Sequence, residues 1–220
     1  MAPKDTPPIR STSTTHISTA GSASGVLPNP LGYNRVYVRV DGPLTFDAWM
    51  TALGEGRCFV TNGPMLFLAA GGGVPGDTVT VTDSSVSVAC EVHSPVPIDR
   101  LEIVRDGGEI IHTVSPVLAD GKATVIANIP VVKSGWIAAR CFEKRDDTVR
   151  FAQTAPVYVE VPGKPFKPKR YAAEYFLRKT NDLVVRAETG DYPTDEARDS
   201  AMDAYQAAKS VFERLLAESE

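Results

Sequence analysis

A two-residue alternation of apolar and polar side chains between residues 57 and 161 constrains this fold most strongly. Over residues 85–92, valine and cysteine alternate with serine, alanine and glutamate, a pattern typical of a strand with one buried face. Similar segments predict strands over residues 35–40, 101–104, 110–114, 123–129, 136–142 and 157–161. Since short, regularly spaced strands occur here without crossover helices, we expect a mainly β fold, an antiparallel β-sandwich of immunoglobulin-like or jelly-roll-like type.

Turn residues support this interpretation at two places. Asp106-Gly107-Gly108 separates two predicted strands, and an Asp-Gly step between such segments favours a tight hairpin because the turn needs positive φ. The glycine-rich segment 71–77 lacks the Lys-Ser/Thr of a phosphate loop and precedes a strand, so we interpret it as a turn.

Changes in composition divide the chain into three parts. Residues 1–30 are dominated by Pro, Ser, Thr, Gly and Asn, and such a stretch buries too little apolar surface to offset its ordering entropy. We therefore expect an irregular N-terminal arm over 1–30, a β-sandwich domain over 31–162, and a linker with a C-terminal helical hairpin over 163–220. Near the start of the sandwich, a short helix is predicted over residues 44–54 with Thr45 as its N-cap. Its apolar face would hold Phe46, Trp49 and Leu53.

The C-terminal hairpin is predicted from two segments of helical periodicity, residues 171–188 and 194–218. The apolar stripes are Tyr175, Phe176 and Leu183 in the first helix, and Ala201, Tyr205, Ala208, Phe212 and Leu215 in the second. Because an isolated hairpin of this size is marginal in water, we expect it to belong to the folded unit. Its docking surface would be the sandwich, a second copy, or a further domain, and truncation after Val161 would test this.

Charge and hydropathy exclude several classes of protein. The chain has 220 residues, 43% of them hydrophobic, and a net charge of −4 with both signs interspersed. This balance offers no broad basic face, so we expect neither nucleic acid nor membrane as a partner. No apolar run approaches the roughly 18 residues of a membrane span, and the first 25 residues contain no recognisable signal peptide. The sequence does not indicate a cellular compartment.

The residues that most often carry chemistry are scattered. The three cysteines and three histidines are Cys58, Cys90, Cys141, His16, His93 and His112. The cysteines form neither a disulfide framework nor a CxxC pair, so we interpret them as small core residues. A metal site needs three or four converging ligands, and the histidines show no such spacing. Asp146-Asp147 lies in a charged turn, where we expect both to be solvated. We therefore expect no metal, no cofactor and no catalytic residue in this chain.

Several motifs in combination resemble a known family. They are GYNRVYV at 32–38, Trp49, GRCFVTNGP at 56–64, LEIVRDG at 101–107 and APVYV at 155–159. This order is similar to the C-terminal region of the carbaryl-hydrolase-like branch of the polymerase and histidinol phosphatase (PHP) metallohydrolases, over about residues 20–161. In that family a metal-binding barrel precedes this region. The resemblance implies that the chain starts where such a barrel would be ending.

One further departure from the family concerns metal binding. The family's last barrel motif, Gly-Ser-Asp-Ala-His, would align with residues 21–25 of this chain. There Ala23 and Gly25 stand in place of an Asp and a His, and neither can bind a metal or transfer a proton. The resemblance thus implies a region of a metallohydrolase without its metal ligands.

The matching motifs supply the candidate structural and interface residues, which are Asn34, Arg35, Arg57, Thr61, Asn62, Gly63 and Pro64. In the Thr-Asn-Gly-Pro segment, Asn and Gly tolerate left-handed backbone and Pro64 pushes Gly63 away from helical ψ. We therefore expect a fixed bend between two strands. A sharper hypothesis is that Asn62 also bonds the backbone of the N-terminal arm, so that Asn62→Ala would expose residues 1–30 to proteases.

Three functions are compatible with the sequence. The first is a non-catalytic β-sandwich domain with a structural or interaction role, whose partner would be an upstream metallohydrolase barrel or a second copy. The second is a stand-alone module that binds carbohydrate or protein, which a row of exposed aromatic residues would favour. Since Trp49 and Trp136 lie in apolar patterns, we expect both in the core. The third is a metal-dependent hydrolase that takes its site from another chain.

Overall fold

The computed structural model describes residues 18–22 and 30–219, in two compact units that divide after Pro165. The first unit contains eleven strands and one α-helix among its described residues. The strands are β1 (Arg35–Val38), β2 (Cys58–Thr61), β3 (Met65–Ala70), β4 (Thr78–Thr80), β5 (Ser85–His93), β6 (Ile98–Arg105), β7 (Glu109–Val114), β8 (Lys122–Pro130), β9 (Gly135–Glu143), β10 (Phe151–Thr154) and β11 (Val157–Glu160). The helices are α1 (Phe46–Gly54) in this unit, and α2 (Arg170–Thr189) and α3 (Asp195–Ala217) in the second.

The strands form two sheets. In the larger sheet β9 is central: it pairs with β6 along one edge, and with β10 and β11 along the other. Strands β2 and β1 continue the sheet beyond β10, β4 lies beyond β11, and β7 lies beyond β6. The smaller sheet has the order β3-β5-β8. Among these pairs only β4–β11 is parallel. The predicted mainly β, antiparallel sandwich with a short helix and a C-terminal helical pair is confirmed.

The core lies between the two sheets, and the alternation in the sequence predicts which side chains fill it. Val88, Cys90 and Val92 of β5 are fully buried, as are Leu101 and Ile103 of β6. Cys58 and Cys141 are buried too, so all three cysteines are core residues as predicted, and all are free thiols. The prediction that both tryptophans lie in the core is only partly right, because Trp49 and Trp136 are partly buried.

The hairpin predicted at Asp106-Gly107-Gly108 is confirmed. Strands β6 and β7 are antiparallel neighbours joined by a single 3₁₀ turn, in which Gly107 has φ of 73° and Gly108 has φ of 80°. The turn is fixed to β9, since the Asp106 carboxylate accepts a hydrogen bond from Trp136 N at 2.9 Å. Strands β4 and β10 were not predicted as strands, because three or four residues of mixed polarity are too short to show alternation.

Helix α1 begins one residue after its predicted cap. Thr45 is the N-cap, and its hydroxyl accepts a hydrogen bond from Ala48 N at 3.2 Å. The predicted apolar face is wrong at Phe46, which is 77% exposed, whereas Ala52 is the buried residue of the helix. A nine-residue helix at the surface needs to bury only a narrow stripe.

The second unit is a pair of helices that pack against each other, with Thr194 as the N-cap of α3. The α3 stripe is half-buried as its spacing predicts. The predicted α2 stripe is wrong, because Tyr175, Phe176 and Leu183 are exposed. The buried residues are instead Ala173, Thr180, Val184 and Ala187, whose spacing of seven, four and three gives a narrow seam of small side chains. At the seam's edge, Phe176 stacks on Phe212 with ring centroids 5.4 Å apart. Among the described residues, no helix is long and apolar enough to cross a membrane.

Candidate functional site

The four residues from Thr61 to Pro64 form the bend that carries the chain from β2 in the larger sheet to β3 in the smaller one. Thr61 is 2% exposed, and its hydroxyl accepts a hydrogen bond from Gly63 N at 2.9 Å and donates to the Pro64 carbonyl at 2.5 Å. Pro64 is fully buried. A single hydroxyl thus closes the turn from inside, and the predicted fixed bend between two strands is confirmed.

Asn62 ties this bend to the segment that precedes β10. Its Nδ2 donates to the Val149 carbonyl at 3.0 Å, and its Oδ1 accepts from Phe151 N at 2.8 Å. Its backbone N–H donates to the Phe151 carbonyl at 3.1 Å, and its own carbonyl accepts from Arg150 Nη1 at 2.5 Å. The side-chain amide therefore acts as a backbone mimic that continues the pairing of two strands around a corner.

Gly63 is required for a reason different from the predicted one. Neither Asn62 nor Gly63 has a positive φ, so the bend does not use left-handed backbone. A Cβ on Gly63 would instead lie 3.0 Å from Arg150 Cβ and 3.1 Å from Glu143 Oε1. The glycine leaves room for a carboxylate that is itself buried against the turn.

Glu143 is that buried carboxylate, at 7% exposure. Its Oε1 accepts a hydrogen bond from Ser94 Oγ at 3.0 Å, and its Oε2 accepts from Arg145 Nε at 2.6 Å. The carboxylate raises the pKa of the exposed Arg145 guanidinium. Ser94 Oγ in turn accepts a hydrogen bond from Val96 N at 3.0 Å, so the hydroxyl beside the buried carboxylate both donates and accepts.

Arg150 covers the outside of the same corner. Its guanidinium carbon lies 4.7 Å from the ring centroid of Tyr33, a cation–π contact. Its Nε is buried and has no hydrogen-bond partner among the described residues. We call the cluster of Thr61, Asn62, Gly63, Glu143 and Arg150 the corner cluster.

The described part of the N-terminal arm, residues 18–22, is bonded by Asn34 rather than by Asn62. Asn34 Nδ2 donates to the Gly21 carbonyl at 3.1 Å, and Asn34 N donates to Ser22 Oγ at 2.9 Å. The Cys58 thiol donates to the Ser18 carbonyl at 3.4 Å, so residues 18–22 are fastened at both ends. The hypothesis that Asn62 bonds the arm is not supported, because its side-chain bonds go to residues 149 and 151. Residues 1–17 and 23–29, which include His16, Ala23 and Gly25, lie outside the described part of the chain.

The two candidate arginines lie at the surface away from the corner cluster. Arg57 forms ion pairs with Asp41 at 2.8 Å and Glu55 at 3.0 Å, and so connects α1 and β2 to the segment after β1. The Arg35 guanidinium lies 5.9 Å from the ring centroid of Tyr37. Neither arginine converges with the other candidates on a pocket.

Sequence reasoning missed a buried carboxylate on the outer face of the larger sheet. Glu102 is 5% exposed and accepts hydrogen bonds from Arg100 Nε at 2.9 Å and Arg140 Nε at 2.5 Å. Burial alone would raise the pKa of Glu102, but the two arginines outweigh it and hold this pKa below its usual range. The Arg100 guanidinium also lies 3.9 Å from the ring centroid of Phe142. Alternation places Arg100, Glu102, Arg140 and Phe142 on the outer face of β6 and β9, but only the register of these two strands brings Arg140 opposite Glu102.

A row of aromatic rings crosses from the larger sheet to the smaller one. Tyr37 stacks on Phe59 at 5.1 Å, Phe59 meets Phe67 edge-on at 5.5 Å, and Phe67 meets His93 at 5.4 Å between ring centroids. His93 Nε2 bonds the Glu91 carboxylate at the end of the row. Tyr37 is 37% exposed and Phe67 is 42% exposed, so the row presents part of its surface to solvent.

Possible metal ligands do not converge in the part of the chain that the structure describes. No group of three or more His, Cys, Asp or Glu side chains there could hold a metal ion. His93 lies on β5 and His112 on β7, in different sheets. Asp146 and Asp147 are exposed, as predicted.

Comparison with known proteins adds little. No protein-family profile matches this sequence, and no curated protein matches it. Among solved structures, CopC from Methylosinus trichosporium OB3b is similar over 46% of this chain and 100% of its own, with 15% identity and a TM-score of 0.29. A likeness at that level carries no argument about fold or function.

Proposed function

We propose that this chain is a non-catalytic β-sandwich domain with a structural or interaction role, of the kind that follows the barrel in carbaryl-hydrolase-like PHP metallohydrolases. The observation that carries the proposal is the fastening of residues 18–22 to the sandwich by Asn34 and Cys58. In a protein with an upstream barrel, this segment would be the connection between the two domains. Hydrogen bonds at both of its ends would fix the angle at which a barrel meets the sandwich.

The chemistry of the corner cluster supports a structural role. Catalytic groups need polar atoms directed at a substrate, but the Thr61 hydroxyl, the Asn62 amide and the Glu143 carboxylate all bond to atoms of the chain itself. Each of these side chains replaces a missing backbone or side-chain partner at a place where two sheets meet. Such a cluster restricts movement at the junction between the two sheets.

A domain-replacement experiment tests the proposal. The full chain is fused behind the barrel of a carbaryl-hydrolase-like enzyme whose own C-terminal β region has been deleted. We expect the fusion to restore soluble expression and metal-dependent turnover that the bare barrel lacks. The critical variant is Asn34→Ala, which removes the bond to Gly21. Asn181→Ala is the matched control, because the same change there is made on an exposed face of α2.

The outcomes are distinct. Restored turnover that falls in Asn34→Ala but not in Asn181→Ala would support a domain whose connection to the barrel matters. A fusion that is folded in its sandwich, by its own thermal transition, yet leaves the barrel as insoluble or inactive as before would contradict the proposal.

A carbohydrate-binding module is the second candidate, and the aromatic row is the observation in its favour. Rings that are partly exposed, with the Glu91 carboxylate at one end, offer an apolar strip beside a polar group. Against it, no tryptophan belongs to the row, and Tyr37 and Phe59 lie face to face within it. Titration with soluble oligosaccharides decides: quenching of tyrosine fluorescence that is lost in Tyr37→Ala would favour binding.

A further inference from the structure

Strand β8 is an edge strand whose central residues lack the usual protection, although Lys122 and Pro130 stand at its two ends. Among the described residues it pairs only with β5, over all nine of its positions. Natural edge strands are kept from pairing with other chains by charges, prolines, bulges or short length. Residues 123–129 of β8 contain no charge, no proline and no glycine, and their register with β5 has no bulge.

The direction of the backbone groups on β8 follows from its two ends. Lys122 exchanges both of its backbone hydrogen bonds with Ala119, at 2.8 and 3.0 Å, on the side away from β5. Val131 N donates to the Ser84 carbonyl at 2.9 Å, on the β5 side. Since backbone groups alternate sides along a strand, the even-numbered residues face away from β5. The N–H and C=O groups of Thr124, Ile126 and Asn128 therefore point outward.

The outward edge borders an open groove of about 630 Å³. His112 and Val114 of β7, the connection after β7, and the first half of β8 line this groove. Two of its lining residues are large, apolar and highly exposed, Val117 at 91% and Ile126 at 71%. The groove thus combines unpaired backbone with apolar side chains, which is what an added strand requires.

We propose that β8 pairs antiparallel with β8 of a second copy of this chain, about a two-fold axis at Ile126. In this register Ile126 lies opposite Ile126 of the second copy, and Thr124 lies opposite Asn128. Three residues of each copy donate and accept one hydrogen bond each, which gives about six N–H···O=C bonds across the axis. The outward groups of Thr124, Ile126 and Asn128 all find partners, and the two small sheets become one continuous sheet.

The side chains of β8 are complementary to themselves in this register. On the core-facing side, Ala123 meets Ile129 and Val125 meets Ala127, so a small residue faces a branched one each time. On the outer side the polar pair is Thr124 with Asn128, and isoleucine meets isoleucine at the axis. No like charges face each other. This self-complementarity favours a second copy over an unrelated extended peptide, which would have to supply the same pattern.

Two measurements on the full chain test the proposal together. Sedimentation velocity over a concentration series gives the mass, and amide hydrogen exchange gives the residues that are protected. We expect a dimer with slow exchange at Thr124, Ile126 and Asn128, whose amides have no acceptor among the described residues. The variant Ile126→Lys puts two ammonium groups at the axis, and should give a monomer in which these three amides exchange at least tenfold faster.

The control is Val149→Lys, which adds the same charge at a residue that is 66% exposed in the loop before β10. It should leave the dimer and the protection unchanged. In every variant, Val125 and Ala127 report on folding, because their amides bond to β5. A monomer with fast exchange at the three edge amides overturns the proposal. So does a monomer with these amides protected, a dimer that survives Ile126→Lys, or an open-ended polymer.

Discussion

Replacing Asn62 by alanine removes a side chain that bonds both Val149 and Phe151, on either side of Arg150. The variant loses two hydrogen bonds, each contributing about 1 kcal/mol net. The Val149 carbonyl lies in an exposed loop and can bond water instead, but the Phe151 N–H is partly buried and adds a desolvation cost of about 1 kcal/mol. The expected decrease in the free energy of unfolding is therefore about 3 kcal/mol. The m-value should not change, because the core is untouched.

Urea unfolding measures that decrease, and limited trypsin digestion locates it. Lys144, Arg145 and Arg150 lie in the segment that Asn62 fastens, so cleavage there should accelerate in Asn62→Ala. The control is Asn181→Ala, the same change on an exposed face of α2. A loss below about 0.5 kcal/mol, or faster cleavage confined to residues 18–22, would refute the assignment of Asn62 to the β10 segment.

Three further predictions concern other parts of the chain. Glu102→Gln should lower the free energy of unfolding by about 1–2 kcal/mol at pH 7, since the arginines it bonds are partly exposed. Because the folded-state pKa of Glu102 is depressed, its contribution is present above its unfolded pKa of about 4.3 and is lost as pH falls through the folded pKa. The difference between wild type and variant, measured by urea unfolding, should accordingly shrink in acid, and a constant difference would contradict this. Burial raises the pKa of Cys90 and of Cys141 to about 12, so neither should react with a disulfide reagent at pH 8 until urea unfolds the protein; rapid reaction of the native protein would contradict the burial. Truncation after Pro165, which keeps the Lys164 carbonyl bonded to Ser134 N, should lower solubility or the melting temperature if the hairpin is part of the folded unit. A truncated protein that is equally soluble and heat-resistant would show that the hairpin is dispensable.

The strands that the sequence predicts best are those with one face in the core. Strand β5 shows this most clearly. Its nine residues alternate between exposed and buried side chains, and only an extended strand puts all of its valines on one face. Strands β4 and β10 carry only three and four residues, and they are strands because longer neighbours offer them backbone partners. Pairing of that kind depends on the tertiary fold, so no local pattern reports it.

The candidate site was predictable in its residues but less so in their contacts. The Thr-Asn-Gly-Pro segment indicates a bend, yet Asn62 bonds residues 87 and 89 positions away, and no spacing rule gives such partners. The alternation places Glu102 on the solvent-facing side of its strand, and Glu143 lies one residue beyond the predicted strand over 136–142. Glu102 is covered by Arg100 of its own strand and by Arg140, which the register of β6 with β9 places opposite it, whereas Glu143 bonds Arg145 in the loop after β9.

The α2 face shows a different limit. Tyr175, Phe176 and Leu183 are large apolar residues at helical spacing, and the sequence predicts them as the buried stripe of that helix. The helix pair is instead closed by small residues around Ala173 and Ala187, because two helices can approach closely only where the side chains between them are short. Size and hydrophobicity alone therefore select the wrong face.

The proposed non-catalytic role is tested most directly by one assay. The purified full chain is incubated with Zn²⁺ or Mn²⁺ and with chromogenic ester, carbamate and phosphoester substrates, and its metal content is measured after removal of free ions. We expect no stoichiometric metal and no turnover above the rate of the metal ion in buffer. One equivalent of bound metal, together with turnover that a chelator abolishes and added metal restores, would contradict the account.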